Sequence, residues 1–268
     1  MEHQLPVLGT NGYPLQDGAV YGPIHSRRFG HSLGINPLPV TYKFCDFDCV
    51  YCQYGWTPRP GSTAKKTDEK LKPLHKLLRE IEKSFQSIKV EKTPVDVITI
   101  AGNGEPTLYP EFLKFVTGLV ELRDRYFPKV PLGILSDSSQ CHRSEIKEAL
   151  EMLDERCMKL DAGDFETIRN INKPAGSFDL PRMLEALREL REVTIQSLFV
   201  QGSYDNTKPE QIDRWVEAVG FVQPKLVQVY TVDRPPADSG IVPVPLAQLR
   251  GIAELSQSMT GVRTEVFD

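Results

Sequence analysis

Long apolar runs are missing from this chain. None approaches the roughly 18 to 20 residues needed to cross a bilayer, and Met1-Glu2-His3-Gln4-Leu5-Pro6 has no basic stretch followed by an apolar one, so neither a membrane span nor an export signal is expected. Dense basic stripes are missing too, and a net charge of −4 does not advertise a polyanionic partner or a strong nucleic-acid patch. The one local basic neighbourhood, Arg27, Arg28, Lys43, Lys65 and Lys66, reads first as solvated surface and keeps a phosphate-bearing substrate open. Cysteine is scarce: there are five, and Cys141 and Cys157 stand alone. That argues against a disulfide framework, which belongs to small domains in oxidising compartments, and for a reducing, cytoplasmic setting. The apolar fraction of 40% and charged fraction of 25% are ordinary for a soluble globular protein, and 268 residues suffice for one α/β barrel-type domain or two small ones.

What is present is concentrated. The other three cysteines, Cys45, Cys49 and Cys52, fall within eight residues, Cys-Asp-Phe-Asp-Cys-Val-Tyr-Cys, a spacing that core packing does not ask for. Thiolates are the usual ligands of [4Fe–4S] clusters, which normally take four, so three would leave one iron without a protein partner and free to bind a substrate. A structural zinc site would want four ligands in two close pairs, and no second pair follows downstream. His25 or His31 supplying the fourth ligand keeps zinc as the alternative, one that leaves Gly102-Asn103-Gly104-Glu105 unexplained.

After an irregular segment over residues 1–20, short β-rich runs alternate with amphipathic stretches through residues 21–268, the pattern of repeated βα units around a mostly parallel sheet in a single domain with a short C-terminal extension. Six strands are expected, at Ser32 to Pro37, Val95 to Ala101, Leu132 to Ser136, Met158 to Asp161, Thr194 to Gln201 and Leu226 to Val232. Helices are expected at Asp68 to Phe85, Pro110 to Tyr126, Arg143 to Leu153, Phe178 to Leu190, Pro209 to Val219 and Leu246 to Met259, with a short extra one over Phe165 to Ile171. Asp68 and Asp179 suit helix N-caps or first turns, and Pro110, Pro181 and Pro209 suit helix starts. Six strands make an open, partial (β/α)6 barrel of the TIM type. In such barrels the loops after the strands' C-terminal ends build the active site, so the cysteine loop, Gly102 to Thr107, Asp137 to His142 and Ala162 to Asp164 should share one face.

Three segments together resemble the radical S-adenosylmethionine (radical SAM) family: Ser26-Arg27-Arg28-Phe29-Gly30-His31-Ser32-Leu33-Gly34-Ile35-Asn36, the cysteine run, and Gly102-Asn103-Gly104-Glu105-Pro106-Thr107-Leu108-Tyr109-Pro110. They are similar to its compact oxidoreductase subgroup related to the wybutosine-synthesis enzymes, over about Tyr21 to Pro236. The resemblance implies the partial barrel as radical SAM core, a [4Fe–4S] cluster on Cys45, Cys49 and Cys52, and S-adenosylmethionine bound at its open iron. It further implies reductive cleavage to a 5′-deoxyadenosyl radical that takes hydrogen from a small metabolite or a nucleoside or RNA substrate, with an external one-electron reductant such as flavodoxin or ferredoxin. The alternatives are radical modification of a partner protein, or a non-catalytic iron–sulfur electron carrier or zinc module.

By the same resemblance Tyr51 would lie against the adenine. Gly102, Asn103, Gly104 and Glu105 would receive the ligand's ammonium group, and Ser136 and Asp137 would meet the ribose hydroxyls, although Leu135-Ser136-Asp137-Ser138-Ser139 departs from the family's usual Thr-Asn-Gly. Asp161, by its place at the end of the fourth strand, would orient substrate or a neighbouring base, or cap the helix beginning near Asp164. Cys141, in the loop after the third strand, would donate hydrogen or touch substrate, with His142 as an acid–base neighbour, and Tyr230 and Arg234 stand at the end of the last strand. Cys157 is read as a buried small hydrophobe at the opposite end of the barrel.

Overall fold

A computed structural model of the chain describes residues 6–26, 28–58 and 71–267. The basic residues Arg27, Lys65 and Lys66 and the expected cap Asp68 lie outside the described residues.

The chain enters the sheet through a hairpin, β1 (Val20–Ser26) antiparallel to β2 (Gly30–Ile35). Helix α1 (Leu74–Glu91) then leads to β3 (Val97–Ile100), α2 (Phe112–Tyr126) to β4 (Leu132–Ser136), and α3 (Ser144–Glu151) to β5 (Glu155–Lys159). Two helices, α4 (Phe165–Ile171) and α5 (Leu180–Glu189), precede β6 (Val193–Leu198) and the short β7 (Val200–Gly202). Helix α6 (Pro209–Val222) precedes β8 (Leu226–Tyr230) and β9 (Ile241–Pro243), and α7 (Leu246–Thr260) precedes β10 (Thr264–Phe267). The main sheet has the order β1-β2-β3-β4-β5-β6-β8-β10 and is parallel throughout except for β1. This is the α/β partial barrel expected from the sequence, and the six expected parallel strands are its centre. The hairpin strand β1 and the terminal strand β10 extend it at either edge.

Strand periodicity explains how the sheet is buried on both sides. Ile98, Ile100, Leu132, Ile134, Met158, Ile195, Val227 and Val229 join the helices in the main core. The alternate positions turn to the other face, which is polar: the hydroxyls of Ser32 and Thr99 are 2.8 Å apart, and Gln196 donates to Gln228 at 2.8 Å. Tyr21 of β1 lies over Gly34, where an added Cβ would come 2.1 Å from its ring, so glycine is what lets this tyrosine cover that end of the sheet.

Three expectations need adjusting. The strand read as Thr194 to Gln201 breaks at Phe199, whose fully buried ring packs edge-on against Trp215 and draws the chain out of the sheet; β7 then pairs with β9 in a separate ribbon. The fourth expected strand begins at Glu155, ahead of Met158, because Arg156 folds back on the carbonyls of Leu150, Leu153 and Arg191 and so is satisfied while buried. Cys157 therefore sits within β5, opposite Leu135 and Thr194, and is buried there as a small hydrophobe.

Phe115 of α2 is fully buried and packs against Tyr109 and Phe112. Phe115→Ala is expected to cost about 3–5 kcal/mol of stability, read as a lowered midpoint with unchanged slope in urea unfolding.

Candidate functional site

The cysteine loop has no regular structure of its own and is held from both sides by backbone hydrogen bonds. On one side, Phe44 N–H donates to the Asn103 carbonyl at 2.7 Å and Glu105 N–H donates to the Phe44 carbonyl at 3.0 Å. Gly104 has φ +143°, and a Cβ there would lie 1.8 Å from the Phe44 oxygen, so only glycine allows this approach. On the other side, the end of α4 takes hold: Asp48 N–H donates to the Asn172 carbonyl and Val50 N–H to the Ile171 carbonyl, both at 2.9 Å, while Ala175 N–H donates to the Asp46 carbonyl at 2.7 Å.

So held, the loop presents Cys45, Cys49 and Cys52 as half-buried free thiols. Beneath them is Lys43, only 4% exposed, donating to the Gly55 carbonyl at 3.0 Å and lying 3.5 Å from an Asp48 oxygen. Burial opposes its charge, but the sulfurs of Cys52, Cys45 and Cys49 together with Asp48 outweigh burial and hold the ammonium well above its ordinary range. Burial likewise raises the Cys45 thiol, helped by Asp137 and opposed by Lys43, and pushes Cys49 up to about 12 against the pull of Lys43. Three unpaired thiols sharing one buried cation suit a [4Fe–4S] cluster, because Lys43 offsets the negative charge of its ligands. The zinc alternative is not supported: His25 and His31 face each other across β1 and β2 at the end of β2 remote from the cysteines, and His31 is bound to Asp96 at 2.9 Å.

The loop after β3 is built around Glu105, 2% exposed. Its Oε1 accepts from Thr107 N–H and Ser136 Oγ, each at 3.0 Å, and from Thr107 Oγ1 at 2.5 Å, while its Oε2 accepts from Asp137 N–H at 2.6 Å. Glu105 thereby fastens the end of β3 to the end of β4, and Ser136 is committed to it. The Asn103 side chain binds away from the mouth, donating to the carbonyls of Gln16 and Pro39, both at 2.9 Å. Gly102 lets Asn36 pack closely, since a Cβ would lie 2.1 Å from its Oδ1.

Asp137 reaches the thiols: its Oδ2 is 3.5 Å from Cys45 Sγ, and ligand atoms of Cys45, Asp46 and Asp137 lie within 4.8 Å of one another. Burial raises the Asp137 carboxyl well above the usual range, with Glu105 and Asp46 adding to it, and burial also raises Glu105. Asp46 Oδ2 accepts from Gln140 at 2.8 Å, whereas its Oδ1 is buried with no hydrogen-bond partner among the described residues. Crowded carboxylates with an orphaned acceptor suit a cationic ligand that also carries N–H donors; the ammonium of S-adenosylmethionine would provide the donors, and its sulfonium a further positive charge. A cavity of about 1020 Å³ opens beside the same loop, lined by Asp46, Phe47, Gln140, His142, Phe178 and Arg182 among others.

Asp161 is 3% exposed and organises a second cluster. Its Oδ1 accepts from Leu198 N–H at 2.8 Å and pairs with Lys159 at 2.7 Å; its Oδ2 accepts from the Tyr51 hydroxyl and from Asn172 at 2.7 Å. Lys159 also donates to the Tyr230 hydroxyl at 3.0 Å and lies over both tyrosine rings, about 5.0 Å from that of Tyr51 and 4.9 Å from that of Tyr230. Burial works against its charge, but Asp161 and Tyr230 prevail and the ammonium is pushed up to about 12. The short α4 is capped instead by Asp164, which accepts from Thr167 N–H. Tyr51 is thus anchored by its hydroxyl to Asp161, with a cation at its ring. Arg234 lies over Tyr13 and donates to Gln53.

Cys141 departs from its expected place at the mouth. It is 1% exposed within the main core, its sulfur 3.9 Å from the Met183 carbonyl, and burial pushes it up to about 12; a thiol behaves there as a small apolar group. Lys159 and Asn172 are site residues that the sequence reading passed over, and Lys43, read there first as solvated surface, is instead buried beside the cysteines. Lys159 was within reach, since Lys159 and Asp161 lie two apart in an extended run and share a face.

An open α/β barrel whose first parallel strand feeds a loop of three free thiols at the strand-end face defines a class of cluster-binding protein. Residues 40–217 match the model of the Radical SAM superfamily, and the chain belongs to that superfamily, whose cofactors are a [4Fe–4S] cluster and S-adenosylmethionine. The "GTPase Obg" of Brachyspira hyodysenteriae is 29% identical over 224 residues, 82% of this chain and 31% of that protein. A UPF0026 protein of Helicobacter pylori is 29% identical over 222 residues, 81% of this chain and 67% of its own length. The chain therefore spans about a third of the first of these curated relatives and about two thirds of the second. Among solved structures, the wybutosine enzyme TYW1 with a lysine–pyruvate adduct bound shares the fold at a TM-score of 0.59 and 13% identity, over 86% of this chain and 75% of that one.

Gly104→Ala forces the Phe44 carbonyl to move, so iron and sulfide incorporated per chain should fall several-fold while far-ultraviolet circular dichroism stays native. Lys159→Met leaves Asp161 buried without its cation and is expected to cost about 3–5 kcal/mol in denaturant unfolding.

Proposed function

We propose that this chain is a radical SAM enzyme in which Cys45, Cys49 and Cys52 hold a [4Fe–4S] cluster and which acts on a small metabolite or a nucleoside or RNA substrate. The observation that carries this reading is the grouping of three free thiols around buried Lys43, beside carboxylates that include the orphaned Asp46. When bound, the cluster and S-adenosylmethionine would supply reductive C5′–S cleavage and hydrogen abstraction from the substrate, with the electron coming from an external reductant such as flavodoxin or ferredoxin.

The chain's own residues bind, orient and shield. Lys43 offsets the charge of the thiolates, and Asp46, with Glu105 and Asp137 behind it, meets the positive charge of the ligand. Asp137 is the acceptor available to the ribose hydroxyls, and Glu105 holds its backbone in place at 2.6 Å. Tyr51, fixed by Asp161, offers a flat ring beside the cysteines for an adenine. We read residues 21–268 as one radical SAM core domain. No described helix is long and apolar enough to cross a membrane, and five free cysteines suit the reducing cytoplasm.

The test is anaerobic: reconstitute with iron and sulfide, add dithionite and S-adenosylmethionine, and quantify 5′-deoxyadenosine. Production by the wild type but not by the Cys45, Cys49 and Cys52 triple-alanine variant is the expected result. A fully loaded wild type that makes none, with or without candidate metabolites, nucleosides and RNA, would overturn it. Cys49→Ala alone should abolish [4Fe–4S] assembly while leaving a soluble fold, and a normal cluster spectrum in that variant would remove Cys49 from the ligand set.

A further inference from the structure

Asn172, at the C-terminal end of α4, touches both parts of the site with one side chain. It is 3% exposed, and its Nδ2 lies 2.7 Å from Asp161 Oδ2, 3.1 Å from the Tyr51 hydroxyl and 3.4 Å from Cys49 Sγ. An amide nitrogen carries two hydrogens. One is committed to Asp161, the nearest and charged acceptor. The other is shared between the Tyr51 hydroxyl and the Cys49 sulfur. Meanwhile the Asn172 carbonyl accepts from Asp48 N–H at 2.9 Å, so the backbone that places this amide also shapes the cysteine loop.

We infer that Asn172 is a positioning residue that sets the electron affinity of the cluster through its hydrogen bond to Cys49, and that Tyr51 moderates this effect by competing for the same hydrogen. The inference rests on the ligand assignment proposed above. A donor aimed at a cluster sulfur stabilises the reduced state, which carries one more negative charge, and therefore raises the reduction potential. Removing the donor lowers it. Removing the competitor, the Tyr51 hydroxyl, leaves Cys49 as the sole acceptor for that hydrogen and raises it. Asp161 retains Lys159 and Leu198 N–H in either case, so neither change strands a buried carboxylate.

The experiment is a redox titration of the reconstituted protein without S-adenosylmethionine, followed by electron paramagnetic resonance, on wild type, Asn172→Leu, Asn172→Ser and Tyr51→Phe. Both substitutions at 172 should move the midpoint to more negative values, since a serine hydroxyl is too short to take the place of the amide, and Tyr51→Phe should move it the other way. A purely structural role would lower cluster loading without shifts of opposite sign. Should neither variant at position 172 load, Tyr51→Phe decides alone: a raised potential supports the inference, and an unchanged or lowered one overturns it. A wild type that takes up no [4Fe–4S] cluster overturns the proposed function and this inference with it. A loaded set of proteins with one common potential overturns only the inference.

Discussion

Three cysteines on an irregular loop hold a useful arrangement only if something else fixes the backbone between them. Here two ladders do so. Residues 103–105 clasp Phe44, and residues 171–175 clasp Asp46, Asp48 and Val50, with bonds of 2.7 to 3.0 Å on both sides. The loop thereby becomes part of the barrel rim without being a strand, and the two segments that clasp it come from different parts of the chain, one after β3 and one at the end of α4. Other features of the site follow from these clasps. Gly104 must be glycine because the first is so close, and Asn172 reaches Cys49 because the second runs past it.

The fold was legible where burial repeats simply. Val97-Ile98-Thr99-Ile100 and the runs like it announce strands, and Asp179, Pro181 and Pro209 do begin their helices. The edges were not legible. Strand β1 carries Gly22, Pro23 and two exposed positions beside them, and β10 is only partly buried, so neither has the apolar signature of a central strand. Strand β5 opens with Glu155 and Arg156, charges that ordinarily argue against a buried strand and are tolerated here because Arg156 finds three carbonyl partners.

The site was legible as motifs and illegible as contacts. Spacing singled out Cys45, Cys49 and Cys52, and the family resemblance added the Gly102 to Glu105 turn. Neither could say that Glu105 is occupied by Thr107, Ser136 and Asp137, or that Asn103 turns towards Gln16 and Pro39, since those partners are distant in sequence or belong to an irregular segment. Cys141 shows the opposite error. A cysteine in a strand-end loop looks exposed to chemistry, yet the turn after β4 carries its side chain down into the core beside Met183. Asn172 had no signal at all, because an asparagine at a helix end is a common capping choice and its meaning comes only from the loop packed against it.

The charges divide into three groups with different fates. Lys159 and Asp161 neutralise each other at 2.7 Å and form a fixed floor. Lys43 is paired with Asp48 at 3.5 Å and faces the thiols, which add to that match when they carry negative charge. Among the described residues Asp46, Glu105 and Asp137 have no such cationic partner, and burial together with the neighbouring carboxylates raises Glu105 and Asp137. On the proposed function, the cation is S-adenosylmethionine, whose sulfonium charge disappears when the C5′–S bond is cleaved. Cleavage would remove the sulfonium's share of the attraction to these carboxylates and leave the ammonium's share in place.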